Sequence, residues 1–352
     1  MPVIEESMIM SQRLHAPDPR ARQLYGVEFA PPTAEQLDSF GNLCDGLMRE
    51  RQALDGLCAE LGIAMTKKAV IYQPAAFLAA PLTAEQKSAI NHHETSAVAN
   101  YCIDIQAGLG QVPIKESGER MVYIPDLLTG SGLPASFSET PFHPACGDWA
   151  GRQREFWARE SFANRLVVMG ALLESAGVQL HFEDAFRPVG VQEGLFRRRV
   201  DWTRNDHPDW DEDQIVAEAQ SKTAVKPKLA SHKGGAAIDA QLRDIDTGEL
   251  LDSGHKYPDG GVLVFPLTPY VTAEQWRTRQ LFQVAAGLSD LTLYVGEDWH
   301  VSYGDNLASL DENAKVRPGY VAQYGPIKDF DHTTGEVTSV YDTDEADRVF
   351  SY

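Results

Sequence analysis

The chain has 352 residues, of which 43% are hydrophobic and 23% are charged. This balance is typical of globular proteins and excludes a collagenous or wholly disordered chain. At roughly 150 residues per domain, the length favours about two domains. The 51 acidic and 31 basic residues give a formal net charge of −20, which repels the phosphates of nucleic acids and anionic membranes. We therefore expect neither nucleic acid nor a membrane as a partner.

Signals for export or membrane insertion are missing from the sequence. The longest apolar run, 166–173, is far shorter than the roughly 20 residues that a membrane-spanning helix requires. The first residues contain no basic segment followed by an apolar stretch, so we expect a cytoplasmic protein. The four cysteines form no CxxC pair, which favours reduced, buried thiols over a zinc ribbon or a disulfide framework.

The first part of the chain is predicted to be partly helical. The periodicity of its apolar residues predicts two helices, over 33–62 and 83–101, each opened by a threonine cap. A short apolar run over 69–72 predicts a strand. Residues 106–150 are rich in Gly, Pro and Ser, and this composition predicts loops with short strands. We place a domain boundary near residue 150, so that residues 1–150 form an N-terminal extension.

The signals are sharper after this boundary. Apolar periodicity predicts helices over 152–177, 195–202, 210–219 and 272–286, and strands over 179–182, 238–245 and 291–295. Strands and helices that do not alternate regularly favour an α+β fold over a parallel doubly wound sheet. We expect a small central antiparallel sheet flanked by helices within residues 151–310. Residues 311–352 form an acidic C-terminal tail, which is expected to be partly unstructured from Lys328 onward.

Several common catalytic motifs are absent. The segment 93–97 begins like HExxH, but Ala97 occupies the position of the second histidine. Gly108 and Gly110 lack the third glycine of a dinucleotide-binding fingerprint. The chain contains neither GxxxxGK[ST] nor GxSxG. These absences argue against a nucleotide-dependent enzyme and against a serine hydrolase.

Three later segments carry side chains that together suit a catalytic metal site. His232, Asp239 and His300 supply two nitrogen donors and one carboxylate, and this set leaves a fourth position for water, as in catalytic zinc sites. Glycines between His232 and Asp239 allow the sharp bend that both ligands need to reach one ion. Glu297, three residues before His300, is placed to lie beside that water. Arg187, which follows a predicted strand, offers a fixed cation for a developing oxyanion.

At these residues the chain resembles the D-alanyl-D-alanine dipeptidases, the VanX-like branch of the M15 zinc peptidases. That family shows an Asp-Ala-aromatic-Arg-Pro segment, then His-x-x-Gly-x-Ala-x-Asp, then Glu-x-Trp-His. This chain carries the three motifs in the same order, at 184–188, 232–239 and 297–300. The resemblance covers about residues 150–305 and implies an M15 or hedgehog-like peptidase core.

The resemblance also implies the chemistry. His232, Asp239 and His300 would bind one Zn²⁺ per chain, and Glu297 would act as the general base. Arg187 would stabilise the oxyanion together with the metal. The implied reaction is hydrolysis of D-Ala-D-Ala, or of a related small dipeptide that contains D-amino acids. Its biological role stays open between resistance, recycling of cell-wall peptidoglycan and nutrient scavenging.

Two departures from the family pattern concern the substrate. The family usually has serine two residues before the first histidine, where this chain has Ala230, with Ser231 beside the histidine. The family's carboxylate for the substrate amino group aligns with Pro258. Asp259 takes this role if the loop shifts by one residue and is otherwise a turn residue. We therefore take Ser231, Asp259 and the neighbouring loop residue His255 as candidate substrate contacts.

Alternative functions remain open at this point. A D,D-carboxypeptidase or amidase would use the same core on longer peptidoglycan peptides. Two histidines and a carboxylate also form the facial triad of iron(II) oxygenases, although such enzymes have no use for Glu297 as a base. A third alternative is a relative that binds peptides without cleaving them.

Two features lie outside the proposed metal site. The N-terminal extension has three open roles: capping the active site, forming a homo-oligomer, or shaping a pocket for a larger substrate. A basic run, Arg197-Arg198-Arg199, stands out in an acidic chain. Against a net charge of −20, we expect this run to pair with neighbouring acids rather than to bind phosphate.

Overall fold

The computed structural model describes residues 20–63, 76–311 and 314–350. The strand predicted over 69–72 lies outside the described residues. The helices are α1 (Ala21–Tyr25), α2 (Ala34–Ala53), α3 (Asp55–Glu60), α4 (Ala84–Leu109), α5 (Ile124–Gly130), α6 (Glu160–Ser175), α7 (Val189–Asp206), α8 (Glu212–Lys222), α9 (Ala273–Leu288) and α10 (Thr343–Ala346). The strands are β1 (Phe29–Ala30), β2 (Phe77–Leu78), β3 (Met121–Tyr123), β4 (Ala135–Phe137), β5 (Trp157–Arg159), β6 (Val178–Asp184), β7 (Ala237–Asp244), β8 (Thr292–Leu293), β9 (His300–Ser302), β10 (Ile327–Phe330) and β11 (Val337–Val340).

Reciprocal caps open the long N-terminal helices where the sequence predicts them. The Thr33 side chain accepts the N–H of Gln36, whose own side chain accepts the N–H of Thr33. Thr83 and Gln86 form the same capping box at the start of α4. Each box satisfies two backbone donors that a helix N-terminus otherwise leaves without partners.

Two predicted helices differ from the structure. The helix predicted over 33–62 is divided at Leu54, where the backbone angles of φ −86° and ψ 6° separate α2 from α3. Residues 157–159 of the helix predicted over 152–177 instead form β5, and α6 begins at Glu160. This segment is extended because it pairs antiparallel with β3, a contact between distant parts of the chain.

The central sheet has five strands in the order β4-β6-β7-β9-β8. The pairs β6–β7, β7–β9 and β9–β8 are antiparallel, whereas the edge strand β4 runs parallel to β6. Helices α2, α6 and α9 pack against one another and share one hydrophobic core with the sheet. The predicted α+β class, with a small antiparallel sheet flanked by helices, is confirmed.

The first 150 residues contribute to this same core. Phe40, Cys44 and Leu47 of α2 are buried in the hydrophobic cluster that contains Leu166 of α6 and Phe282 of α9. Helix α4 packs against α8 and against the turn at 262–264. The N-terminal helices therefore stabilise the sheet-bearing part of the chain directly.

The C-terminal tail is ordered where the structure describes it, contrary to the expectation from its acidic composition. Strands β10 and β11 form a hairpin, and Ile327 and Phe330 are buried against Met121 and Phe186. Apolar contacts with two earlier parts of the chain thus hold the tail in place. No helix in the described ranges is long and apolar enough to cross a membrane. The four cysteines are free and buried, as predicted.

A substitution at the contact between α7 and the turn at 144–149 tests how closely these two segments pack. A Cβ added at Gly194 would lie 2.5 Å from the carbonyl oxygen of Ala145 and 2.5 Å from the Cα of Cys146, so the backbone must shift. We predict that Gly194→Ala lowers the free energy of unfolding by about 1–3 kcal/mol in urea titrations. Gly41→Ala on the exposed side of α2 meets nothing within 4 Å and is the control. Gly41→Ala should raise the free energy of unfolding by about 0.4–1 kcal/mol. A Gly194→Ala protein as stable as wild type would contradict the close packing of α7 on the turn.

Candidate metal centre and active site

Three buried side chains converge where β7 pairs with β9. The donor atoms of His232, Asp239 and His300 all lie within 4.8 Å of one another. Asp239 Oδ1 is 3.2 Å from His232 Nε2 and 3.0 Å from His300 Nδ1. The sheet register places Asp239 of β7 directly opposite His300 of β9. The structure therefore brings the three predicted ligands together.

A left-handed glycine allows His232 to reach this position. His232 lies in the helical turn Ser231–Gly234, which ends at Gly235 with φ 66°. The left-handed backbone angle disfavours any larger residue, and a Cβ on Gly235 would lie 2.4 Å from Cε of Met121, so the end of that side chain would have to move. This is the bend that the sequence predicts between the first two ligands.

The hydrogen bonds of the three side chains orient their donor atoms. His232 Nδ1 lies 2.7 Å from the carbonyl oxygen of Ala185, which only accepts, so Nδ1 carries a proton and Nε2 is the nitrogen that faces Asp239 and is left to bind an ion. Burial opposes ionisation of Asp239, but His232 and Arg187 outweigh it and hold the pKa of Asp239 well below its usual range. One ionised carboxylate and neutral imidazole nitrogens are the donors that divalent transition metals bind. The donor set therefore fits a metal ion.

Arg187 holds the side of Asp239 that faces away from the histidines. Its Nη2 donates to Asp239 Oδ2 at 2.7 Å, and its Nε donates to Asp184 Oδ2 at 2.8 Å. Burial lowers the pKa of Arg187, but the charges of Asp184 and Asp239 outweigh burial and raise it above the ordinary value. The guanidinium is thus a permanent cation that also orients a candidate ligand. Its predicted role at an oxyanion remains a prediction.

Glu297 lies beside the candidate ligands, in the turn between β8 and β9. Its Oε2 is 3.9 Å from His300 Nδ1, and 28% of its side chain is exposed to the cleft. Burial, together with the negative charge of Asp239, raises the pKa of Glu297 to about 7, although His300 and Arg187 act in the opposite direction. A cation bound at the triad would also lower this pKa. The carboxylate is therefore able to take up and release a proton near neutral pH.

Sequence reasoning missed Tyr257. Its hydroxyl donates to Asp239 Oδ2 at 3.0 Å, and its ring packs edge-to-face against Trp299 at 5.4 Å. Burial, Asp239 and Asp184 raise the pKa of Tyr257 well above its ordinary value, so the hydroxyl keeps its proton. No ligand spacing marks this tyrosine. Its position just before the predicted substrate loop was the one signal that could have found it.

Two of the three predicted substrate contacts line the cleft. Ser231 is buried beside the candidate ligands, and Asp259 is exposed at the rim. Asp259 Oδ2 accepts the backbone N–H of Lys256 at 2.8 Å, which closes the turn that presents it. Asp259 therefore has both the turn role and a cleft position.

His255 lies outside the lining of the cleft, in contrast to the prediction. Its Nε2 is 2.6 Å from Asp298 Oδ1, and its ring packs against Trp299 at 4.8 Å. Arg279 lies on the other oxygen of Asp298 at 3.3 Å. This buried network packs against the turn that carries Glu297 and His300, on the side away from the cleft.

The candidate ligands open into a cavity of about 790 Å³. Glu297 and Arg187 line it together with the triad. Residues Val98, Cys102 and Gln106 of α4 form one wall, and α7 supplies Arg198, Arg199 and Trp202. The cleft is therefore built by the N-terminal extension as well as by the segment that carries the ligands.

Comparison with known protein families agrees with this geometry. Residues 149–317 match the Peptidase_M15 family, described as D-ala-D-ala dipeptidase. The M15 match spans Arg187, Glu297 and the three candidate ligands and leaves out the N-terminal extension. The matched family is one of zinc peptidases. No curated protein matches the chain.

Glu297 also makes the stability of the metal-free protein depend on pH. Its pKa rises from 4.5 to about 7 on folding, so the folded state binds the proton more tightly than the unfolded state. The associated stability is fully present below about pH 4.5 and is lost as the pH rises through 7. Glutamine does not ionise, so the Glu297→Gln protein does not lose this stability as the pH rises.

We predict that, as the pH rises from 5 to 8, the free energy of unfolding of chelator-treated wild type falls by about 2 kcal/mol relative to that of Glu297→Gln. Urea unfolding at each pH measures this difference. The exposed control Glu35→Gln in α2 should follow the wild-type pH profile. Parallel profiles for Glu297→Gln and wild type would contradict the raised pKa.

Proposed function

We propose that this protein is a zinc-dependent peptidase that hydrolyses D-Ala-D-Ala or a related small peptide containing D-amino acids. The observation that carries the proposal is one buried cluster: two histidines and an aspartate within 4.8 Å of one another, with Glu297 beside them. The M15 match over 149–317 supports the same class of reaction.

His232, Asp239 and His300 would hold the ion, through Nε2, Oδ1 and Nδ1 respectively. Zinc at such a site supplies Lewis acidity, which polarises the peptide carbonyl and makes water acidic enough to attack at neutral pH. No protein donor beyond these three is needed, because catalytic zinc sites keep one position open.

The chain's own residues supply the proton transfers and fixed charges. Glu297 takes the proton from the attacking water and delivers it to the leaving amine. The position of Glu297 beside the candidate ligands suits both tasks, because the base must become an acid within one cycle. Arg187 remains charged throughout and supports negative charge on the carbonyl oxygen. Tyr257 and Arg187 together hold Asp239 Oδ2, so that Oδ1 stays turned towards the histidines.

The substrate assignment depends on the rim of the cleft. Asp259 is a carboxylate exposed at the cleft, as recognition of a free substrate amino group requires. Ala230 replaces the hydroxyl that the family pattern has, so one substrate contact is absent. A D,D-carboxypeptidase or amidase acting on longer peptides is the alternative within the same chemistry.

The position of Glu297 favours hydrolysis over the oxygenase alternative. Hydrolysis needs a proton acceptor close to the attacking water, and the Glu297 carboxylate lies 3.9 Å from a candidate ligand. An iron(II) oxygenase with the same triad requires no such base. The presence of Glu297 together with all three candidate ligands also weighs against a non-catalytic peptide-binding relative, because a site without catalysis usually loses one of them.

The direct test is hydrolysis of D-Ala-D-Ala by zinc-loaded protein, with Glu297→Gln as the paired variant. We predict that Glu297→Gln lowers kcat by about 10²–10⁴-fold, because the isosteric amide cannot accept the proton. The variant should still bind one zinc per chain by elemental analysis.

The outcomes separate the alternatives. Zinc-loaded wild type that cleaves neither D-Ala-D-Ala nor longer D-peptides would contradict a peptidase. Equal activity of wild type and Glu297→Gln would remove Glu297 from the mechanism. Cleavage of longer peptides alone would select the carboxypeptidase or amidase alternative.

A further inference from the structure

Two adjacent arginines of α7 line the cleft and form no salt bridge with any residue that the structure describes. Arg198 and Arg199 both line the cavity. Within the described parts of the chain, neither guanidinium lies within 4.0 Å of a carboxylate, whereas Arg204 of the same helix pairs with Asp201 and Glu212 at 2.8 and 2.7 Å. The expectation that this basic run pairs with neighbouring acids is therefore wrong for Arg198 and Arg199.

An indole holds both guanidiniums at the cleft. The Cζ of Arg198 lies 3.9 Å from the ring centroid of Trp202, and the Cζ of Arg199 lies 5.2 Å from it. Nε of Arg198 is buried without a hydrogen-bond partner among the described residues. Stacking on an aromatic face fixes a guanidinium while leaving its N–H donors free for a planar anion. The pair is thus arranged to donate hydrogen bonds that no described protein group accepts.

Electrostatics favour an anion at this position. Burial lowers the pKa of Arg199, Arg198 adds to the lowering, and Glu297 is the largest opposing influence. Two like charges side by side in a partly buried wall destabilise each other unless an anion lies between them. Nearby Lys222 is already neutralised by Glu218 at 2.5 Å. The cleft lining also contains carboxylates, among them Asp259 and Glu297, so the attraction for an anion is local to the pair of arginines on α7.

The size of the cleft agrees with a ligand longer than a dipeptide. A cavity of about 790 Å³ lies in the upper part of the roughly 300–1,000 Å³ that drug-sized ligands occupy. Two alanines fill only a small part of that volume. The α7 wall is therefore available to a further part of a substrate.

We propose that Arg198 and Arg199 form a carboxylate subsite, and that the preferred substrate is an acidic peptide longer than a dipeptide. The carboxylate lies against the α7 wall while the scissile bond lies at the triad beside Glu297. This inference rests on the proposed peptidase function and adds the substrate class to it.

The test compares peptides that differ only in charge. The probes are D-Ala-D-Ala extended by one residue at either end, with D-glutamate or the neutral D-glutamine as the added residue. Wild type should cleave one D-glutamate peptide with at least about tenfold higher kcat/KM than its D-glutamine counterpart, as expected for a charged hydrogen bond. Arg198→Gln and Arg199→Gln should each remove most of this preference, and the control Arg204→Gln should keep it.

The ratio of the two substrates distinguishes a subsite from an effect on Glu297. Because Arg199 lies near Glu297, Arg199→Gln is expected to change kcat for every peptide, but that change cancels in the ratio. Equal losses on the charged and neutral peptides would overturn the subsite. Wild type without preference for either charged peptide would overturn it as well.

A binding measurement separates this inference from the proposed function. Calorimetric titration of the Glu297→Gln protein with the same peptides needs no turnover. Tighter binding of a D-glutamate peptide that is lost in Glu297→Gln/Arg199→Gln supports the subsite even if wild type cleaves nothing. Equal affinity for charged and neutral peptides would overturn the subsite while leaving the peptidase proposal standing.

Discussion

The arrangement of the site depends on the two oxygens of one carboxylate. Asp239 turns Oδ1 towards His232 and His300, while Arg187 and Tyr257 hold Oδ2 from the other side. Each partner comes from a different segment of the chain, so this one carboxylate joins four segments. A buried carboxylate with such partners is costly to leave unpaired, so the fold and the metal site are energetically linked. Without a cation at the triad, His232 and Arg187 compensate the charge of Asp239, and Tyr257 donates a hydrogen bond to it.

The backbone makes this convergence possible in a way that local sequence can partly predict. Caps at Thr33 and Thr83, and the alternating residues of β7, are local patterns, and the structure contains the elements that they predict. The bend at Gly235 is also visible in the sequence as glycines between two potential ligands. Local sequence does not predict the strand register, because the pairing of Asp239 with His300 joins positions 61 residues apart.

The errors of sequence reasoning share one physical cause. Strand β5 was predicted as helix and the tail as partly unstructured, and both are fixed by partners remote in sequence. His255 was expected at the substrate but is drawn away by Asp298, and Tyr257 was missed although it contacts a candidate ligand. The basic run of α7 is expected to pair with acids, but within the described residues Arg198 and Arg199 form no salt bridge and lie instead against Trp202. Composition and spacing identify which side chains suit a chemistry, whereas tertiary contacts decide which of them reach it.

The central claim is that His232, Asp239 and His300 bind one zinc ion together. X-ray absorption at the zinc edge of the loaded protein tests this most directly, because it reports the number and type of ligands without requiring turnover. The account predicts one zinc per chain with two imidazole ligands and oxygen ligands, at distances of about 2.0–2.2 Å. The spectrum should lose one imidazole in His232→Ala. A spectrum with sulfur ligands, or one unchanged in His232→Ala, would contradict the account.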